Sequence, residues 1–323
     1  MVKEKVVVII GPTAVGKTKL SIDIAKHFNG EIISGDSMQI YRSMDIGTAK
    51  ITKEEMEGIT HHLIDIKDPT ESYSVAEFQK NVRTLITDIT NRNKLPIIVG
   101  GTGLYIQSVI YDYHFSQKGS NDVIRSELAQ EVEEKGIESI YERLQMIDPE
   151  SAKKIHPNNH RRVIRALEVY LTTGQTMSQN QEEQIEDELL YDVTLLGLTM
   201  DRDKLYNRIN ARVDKMINDG LLEEVKALHK QEIRNVQSIQ AIGYKEIYEY
   251  LDGKVTLNEA IELLKRNSRR YAKRQLTWFR NKMEVTWIDM TVDFRSRWML
   301  YAVVLEPPRL HSHMSPTWTH FSS

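Results

Sequence analysis

Residues 6–18 read VVVIIGPTAVGKT: the apolar run Val6-Val7-Val8-Ile9-Ile10, then Gly11, Pro12, Thr13, Ala14, Val15, Gly16, Lys17 and Thr18. The last eight fit G-x-x-x-x-G-K-[ST], a loop whose backbone N–H groups cradle a chain of phosphates between a strand and a helix. Gly11 and Gly16 permit backbone angles and a close approach that a side chain forbids. Lys17 brings a positive charge, and the Thr18 hydroxyl is placed to reach a Mg²⁺. A helix starting near Lys17 turns its positive dipole end toward the anion. The plain alternative is a Gly-rich turn with no ligand; a strand before, a helix after and the Lys-Thr pair favour phosphate. The motif specifies a polyphosphate and leaves open which one, and what becomes of it.

Further strands are expected at 31–34 (EIIS) and 95–99 (LPIIV), with helices near 17–28, 74–92 and 102–111. Short apolar strands alternating with helices imply a parallel sheet covered on both faces. The fold class read here is therefore α/β, a P-loop NTPase-like parallel sheet flanked by helices, whose ligands bind beyond the carboxyl ends of the strands. From Asp112 the pattern turns helical, polar and strand-poor until YDVTLLGL (191–198) resumes the sheet. Residues 1–111 and 191–290 then form the core, and 112–190 a helical insertion domain. Helices are expected at 201–218, 221–230, 243–251 and 256–282, and VTWID (285–289) supplies a last strand. Residues 291–323 are expected to be a poorly ordered tail: Pro307-Pro308, His311, His313 and Pro316 follow no periodicity.

The chain has 323 residues, enough for one large domain or two, and a formal charge of −3, so any basic site must be local. It has no cysteine, which excludes disulfides, thiolate nucleophiles and Cys-ligated zinc. The first apolar run is one strand long and leads straight into the loop, which argues against a leader. No stretch approaches the roughly 20 apolar residues of a membrane span. A cytoplasmic protein without a membrane partner is expected.

Asp36, in SGDSMQIY just past the second strand, should lie near the phosphate loop. A carboxylate there holds Mg²⁺ or takes a proton; a turn-forming Asp is the alternative. The third strand ends in Gly100-Gly101-Thr102, where many phosphate-loop hydrolases carry an acid. Thr102 reads as a helix cap, a site hydroxyl, or both. In LYNRINARVDKM, Arg208 and Arg212 share a helix face beside the apolar Leu205, Ile209, Val213 and Met216. Arginine so placed stabilises a leaving anion, or simply faces solvent.

Charge is densest in 259–282. Lys265, Arg269 and Lys273 make one row at four-residue spacing, Arg266, Arg270 and Arg274 the next, with Tyr271 and Trp278 interleaved. Two such rows suit a phosphodiester backbone, with aromatics for stacking. Lys153, Lys154, Arg161, Arg162 and Arg165 form a second basic group, in the insertion. The pair suggests a folded RNA gripped from two sides.

With GPTAVGKT, SGDSMQIYRSMDIGTAK, VGGTGLY, HRRVIRALEV, RINARVDKM, SIQAIGYKE and AKRQLTWFR together, the chain resembles the bacterial tRNA dimethylallyltransferase family from about residue 5 to 290. The resemblance implies transfer of a dimethylallyl group from dimethylallyl diphosphate to the exocyclic amine of the adenosine immediately 3′ of the anticodon, in tRNAs reading codons that begin with U. Asp36 would be the general base. Lys17, Thr18 with Mg²⁺, and the amides of Thr13 to Thr18 would hold the leaving diphosphate, with Arg212, or else Arg208, assisting and Thr102 positioning both substrates.

The resemblance also implies tRNA contacts at Asp36, Ser37, Met38 and Gln39; at Thr102 and Arg125; at Arg161, Arg162, Val163, Ile164 and Arg165; at Gln240, Ala241, Ile242, Gly243, Tyr244 and Lys245; and at Lys273, Arg274, Gln275, Trp278 and Arg280. The adenine would have to leave its stack. A monomer is expected. One rival reading is an adenylate isopentenyltransferase acting on free nucleotides, against which the insertion and the basic rows argue. A second is a phosphate-loop small-molecule kinase, against which the missing strand-end acid and the long C-terminal helices argue. A third is a non-catalytic RNA-binding protein, against which the intact Gly-Lys-Thr loop and Asp36 argue.

Overall fold

Short β-branched runs become parallel strands here, and those at Lys5–Ile10, Gly30–Ser34 and Leu95–Gly100 are buried on both faces. The computed structural model describes residues 3–113, 121–182 and 188–291. In chain order the elements begin β1 (Lys5–Ile10), α1 (Lys17–His27), β2 (Gly30–Ser34), β3 (His61–His62), α2 (Val75–Asn91), β4 (Leu95–Gly100) and α3 (Gly103–Ile110). Five helices follow: α4 (Asp122–Lys135), α5 (Ile137–Ile147), α6 (Pro149–Lys154), α7 (His160–Thr173) and α8 (Met177–Glu182). Then come β5 (Asp192–Thr199), α9 (Arg202–Asn218), α10 (Leu221–Lys230), α11 (Tyr244–Leu251), α12 (Leu257–Lys282) and β6 (Thr286–Asp289).

The contact pattern divides the chain into two compact units, one running to Gln107 and resuming at Tyr191, the other Ser108–Leu190. In the first, all pairings are parallel and the strand order is β3-β2-β4-β1-β5-β6, with Val7 opposite both Ile97 and Thr194. Successive strand residues point to opposite faces. Val7 and Ile9 join Leu20, Ile22 and Ile24 of α1 in one buried cluster. Phe78, Val82, Ile86 and Ile89 of α2 are buried outside it, against β2 and β4. Both faces of the sheet are thus covered. Only β3, two residues in a stretch with no apolar run, was not visible in the sequence pattern.

The loops after β1, β2, β4 and β5 leave the same edge of the sheet, and α9 to α12 follow from β5. The 26-residue α12 begins with a reciprocal cap: Glu259 N–H donates to Thr256 Oγ1 at 3.3 Å, and Thr256 N–H to Glu259 Oε2 at 2.7 Å.

The second unit is helical around Leu128, Ile140, Leu144, Val163 and Leu167. It begins four residues before the expected Asp112, within α3, and its two chain ends meet in a Tyr111–Leu189 bridge. The expected tail lies, from residue 292 onward, outside the described residues.

Candidate active site

The loop after β1 is held open by backbone geometry that glycine alone tolerates. Gly11 has φ +149°, and a Cβ there would stand 2.7 Å from the Leu198 carbonyl oxygen; Gly16 has φ +113° and opens α1. Between them Ala14 sits at φ +66°, a conformation costly for a residue with a Cβ. The Lys17 ammonium donates to the carbonyls of Gly11 at 2.9 Å and Pro12 at 2.8 Å, which folds it over the loop. Burial and then the neighbouring Arg212 lower its pKa to about 8, against the pull of Asp36. Thr18 is exposed in the first turn of α1.

One loop amide is already engaged. Thr13 N–H donates to Gln275 Oε1 at 3.0 Å, and Gln275 Nε2 donates to the Gly101 carbonyl at 3.0 Å. The Thr13 amide, expected at the diphosphate, is thus taken by a side chain, and the buried Gln275, expected at tRNA, clamps α12 to the loop.

The glycines that replace an acid at the end of β4 have a steric reason. A Cβ at Gly100 would stand 2.4 Å from the Gly35 carbonyl oxygen, one at Gly101 2.0 Å from Gln275 Nε2, and one at Gly103 2.1 Å from the Trp278 ring. Half-buried Trp278 thus packs over α3. Thr102 Oγ1 is buried without a hydrogen-bond partner among the described residues, and its neighbour is the Tyr271 hydroxyl.

Asp36 follows β2. Its Oδ1 accepts Met38 N–H at 2.8 Å and Gln39 N–H at 3.4 Å, so the turn-forming role is present. Its Oδ2 has no hydrogen-bond partner among the described residues. Burial pushes the carboxyl pKa up, against the Met38 amide and the Lys17 charge. Asp36 lines a cavity of about 320 Å³ together with Thr13, Arg212, Tyr271 and Arg274, while Ile209, Val213, Met216 and Leu264 form its apolar side. Arg212 Nη1 donates to Thr13 Oγ1 at 3.5 Å; Arg208 stands exposed on the same helix and is not part of the lining. Burial and then the Asp36 charge push the Tyr271 hydroxyl up to about 12.

The remaining expected contacts divide. Ser37, Met38, Gln240, Ala241, Ile242, Lys245 and Arg274 line the cavity. Gln39 is a brace: Oε1 accepts Ser34 Oγ at 3.2 Å, and Nε2 donates to the Thr48 and Ala49 carbonyls at 3.3 Å each. Gly243, at φ +105°, starts α11, and the side chain of Tyr244 is fully buried with its hydroxyl on Glu224.

On α12 the first basic row is partly spent on packing. Lys265 pairs with Asp214 at 2.7 Å, and Arg269 donates to Asn210 at 2.6 Å. Arg266, Arg270, Lys273 and Arg274 are exposed. Lys273 and Arg280 line a second cavity of about 280 Å³ with Arg202 and Tyr206 of α9.

In the helical unit Val163 is fully buried and Ile164 packs on the same core, so the Val163 side chain has a structural role. Arg125 and Arg165 reach the buried Glu168 at 3.0 Å each. Arg161 and Arg162 are exposed in the first turn of α7, where Asn159 caps the helix by accepting Arg162 N–H.

The family model for IPP transferase matches residues 39–282. The chain belongs to the IPP transferase family. It is 66% identical over 289 residues to a tRNA dimethylallyltransferase of Bacillus cereus, covering 90% of this chain and 91% of that one. A solved tRNA isopentenylpyrophosphate transferase of Bacillus halodurans is 56% identical with a TM-score of 0.71, over 94% of this chain and 96% of that one. A eukaryotic dimethylallyltransferase solved acting on tRNA is 36% identical with a TM-score of 0.78, over 93% and 78%. The members share the parallel sheet and the helices around it.

Sequence reasoning missed Thr48, Ala49 and Ser268 in the lining, and it read Ile209, Val213 and Met216 only as a helix's core stripe. The available signal was Arg212, which stands within that stripe, three residues after Ile209 and just before Val213.

Proposed function

We propose that this tRNA-modifying prenyltransferase moves a dimethylallyl group from dimethylallyl diphosphate to the exocyclic amine of the adenosine 3′ of the anticodon, in tRNAs reading codons that begin with U. The observation that carries the reading is the single cavity that joins Asp36 to Thr13 and Arg212 and has an apolar side of Ile209, Val213, Met216 and Leu264. A diphosphate needs the loop, a five-carbon apolar group needs that wall, and an amine needs a base.

The adenine nitrogen attacks the carbon bearing the diphosphate. The new C–N bond forms as the C–O bond breaks, and the amine proton passes to Asp36. Charge then gathers on the diphosphate, where Lys17, the amides from Ala14 to Thr18 and Arg212 receive it. The raised pKa of Asp36 suits it to accept a proton.

Among the described residues no group of three or more His, Cys, Asp or Glu is placed to hold a metal ion. A Mg²⁺ would therefore take Thr18 Oγ1 from the protein and its remaining ligands from diphosphate oxygens and water, a set that ion accepts readily. When bound, it supplies positive charge to the leaving group.

The exposed cations Arg266, Arg270 and Lys273 of α12, and Arg161 and Arg162 of the helical unit, support tRNA as the acceptor. Incubation with dimethylallyl diphosphate, Mg²⁺ and either unmodified tRNA or AMP tests the reading. Prenylated tRNA with unmodified AMP is expected. Prenylation of AMP alone, or phosphate release from ATP with neither acceptor modified, would overturn it.

A further inference from the structure

Glu224 lies in the first turn of α10 and is not part of the cavity lining. Its Oε2 accepts the backbone N–H of Asp45 at 2.9 Å and of Ile46 at 2.8 Å. Its Oε1 accepts Gly47 N–H at 3.0 Å and the Tyr244 hydroxyl at 2.5 Å. Three consecutive amides of an irregular loop thus close around one carboxylate. Hydrogen bonds to an ionised acceptor are the strong kind.

The loop also lies flat on the aromatic ring beneath it. A Cβ at Gly47 would stand 2.5 Å from the Tyr244 ring, so only glycine allows that approach. Beyond Gly47, Thr48 and Ala49 line the cavity. Their carbonyls receive Gln39 Nε2 at 3.3 Å each, and Gln39 N–H is bound to Asp36 Oδ1 at 3.4 Å. One connected path therefore runs from Glu224, through the loop wall, to the carboxylate in the cleft.

We propose that Glu224 is a positioning residue for prenyl transfer: its carboxylate organises the amides of residues 45–47 and so fixes the cavity wall at residues 47–49 in register with Asp36. The inference rests on Asp36 being the base that faces the acceptor. Catalytic groups work when neighbouring hydrogen bonds hold them close to the productive geometry. Residues 45–49 lie in no strand or helix, so the carboxylate does the work that a strand ladder does elsewhere. In Glu224→Gln one acceptor oxygen becomes an NH₂ group, which then faces amide donors.

The test uses the full chain with dimethylallyl diphosphate and unmodified tRNA. Glu224→Gln should lower kcat by at least 30-fold and leave the affinity for dimethylallyl diphosphate within threefold. Amide exchange at residues 45–49 should rise at least tenfold. A variant with kcat within threefold of the parent, or with unchanged exchange at those amides, overturns the proposal, as does an equal loss of diphosphate affinity. If Glu224→Gln does not fold, Gly47→Ala reports in its place, since it pushes the same loop off Tyr244 with the carboxylate intact; an unchanged kcat there also overturns it. Asp36→Asn measured alongside separates the two claims. An active Asp36→Asn removes the base reading and overturns this inference with it, whereas an impaired Asp36→Asn beside an unimpaired Glu224→Gln removes this one alone.

Discussion

The cleft and the basic surfaces treat charge in opposite ways. Lys17 and Asp36 are drawn out of water, shift one another's proton affinity and are fixed by backbone partners within a few residues. Along α12, Arg266, Arg270 and Lys273 stand in solvent, and in the helical unit so do Arg161 and Arg162. Desolvated charges act over short distances with large energies, whereas exposed charges act through a screened field. Rate should therefore depend on single residues in the cleft. RNA affinity should depend on sums of residues on the surface.

The largest expected effect is at Asp36. Asp36→Asn should lower turnover by roughly 10³-fold, the span of general-base catalysis, with tRNA affinity within about tenfold. Single-turnover transfer and filter binding check it, and near-normal turnover would erase the distinction between cleft and surface. Charge reversal at Arg266, Arg270 and Lys273 together should weaken tRNA binding by about 10²-fold at low salt and cut the log–log salt slope by roughly one per cation. Turnover at saturating tRNA should stay near the parent value. An unchanged slope would mean that those cations only keep the helix solvated.

Gln275→Ala removes both hydrogen bonds of the buried clamp, a loss of about 1–3 kcal/mol, and should weaken dimethylallyl diphosphate binding roughly tenfold while sparing tRNA affinity. Calorimetry with each substrate separates that result from an RNA contact at Gln275, which would show the opposite pattern. The pH profile should show the coupling of the two cleft charges. Activity rises on the acid side as Asp36, its pKa raised by burial, gives up its proton. It falls above about pH 8 as Lys17, its pKa lowered, loses the charge that holds diphosphate. Lys17→Arg should remove that alkaline fall, and a kcat/KM profile flat to pH 10 in the parent would place the Lys17 pKa elsewhere. The smallest effect is expected from Arg162→Ala, about two- to threefold in tRNA affinity with unchanged kcat. A change in kcat there would make the helical unit part of the catalytic geometry.

Much of the fold was legible because its signals are local. Val6 to Ile10, EIIS and LPIIV announced strands, Gly11 and Gly16 announced the turn between β1 and α1, and Asp36 was placed by the rule that ligands gather at the carboxyl ends of parallel strands. What escaped notice depends on partners far away in the chain. Gln275 and Trp278 looked like members of a basic helix, yet they occupy the space that Gly101 and Gly103 leave. Lys265 and Arg269 belonged to a row of cations, yet α9 binds both. Val163 stood between arginines and proved to be core.

The sequence by itself therefore determined the parallel sheet, the phosphate loop, the candidate base and the presence of basic helices, because periodicity, glycine geometry and charge density act within about a dozen residues. Only the tertiary structure decided which cations remain exposed, which loop amide is already taken, and that Glu224 holds the wall of the cleft. Those outcomes rest on hydrogen bonds and contacts between residues far apart in the chain, 59 positions for Arg269 and Asn210, 177 for Gly47 and Glu224 and 262 for Thr13 and Gln275. Such pairings follow from how the helices pack over the sheet edge, which no local pattern encodes.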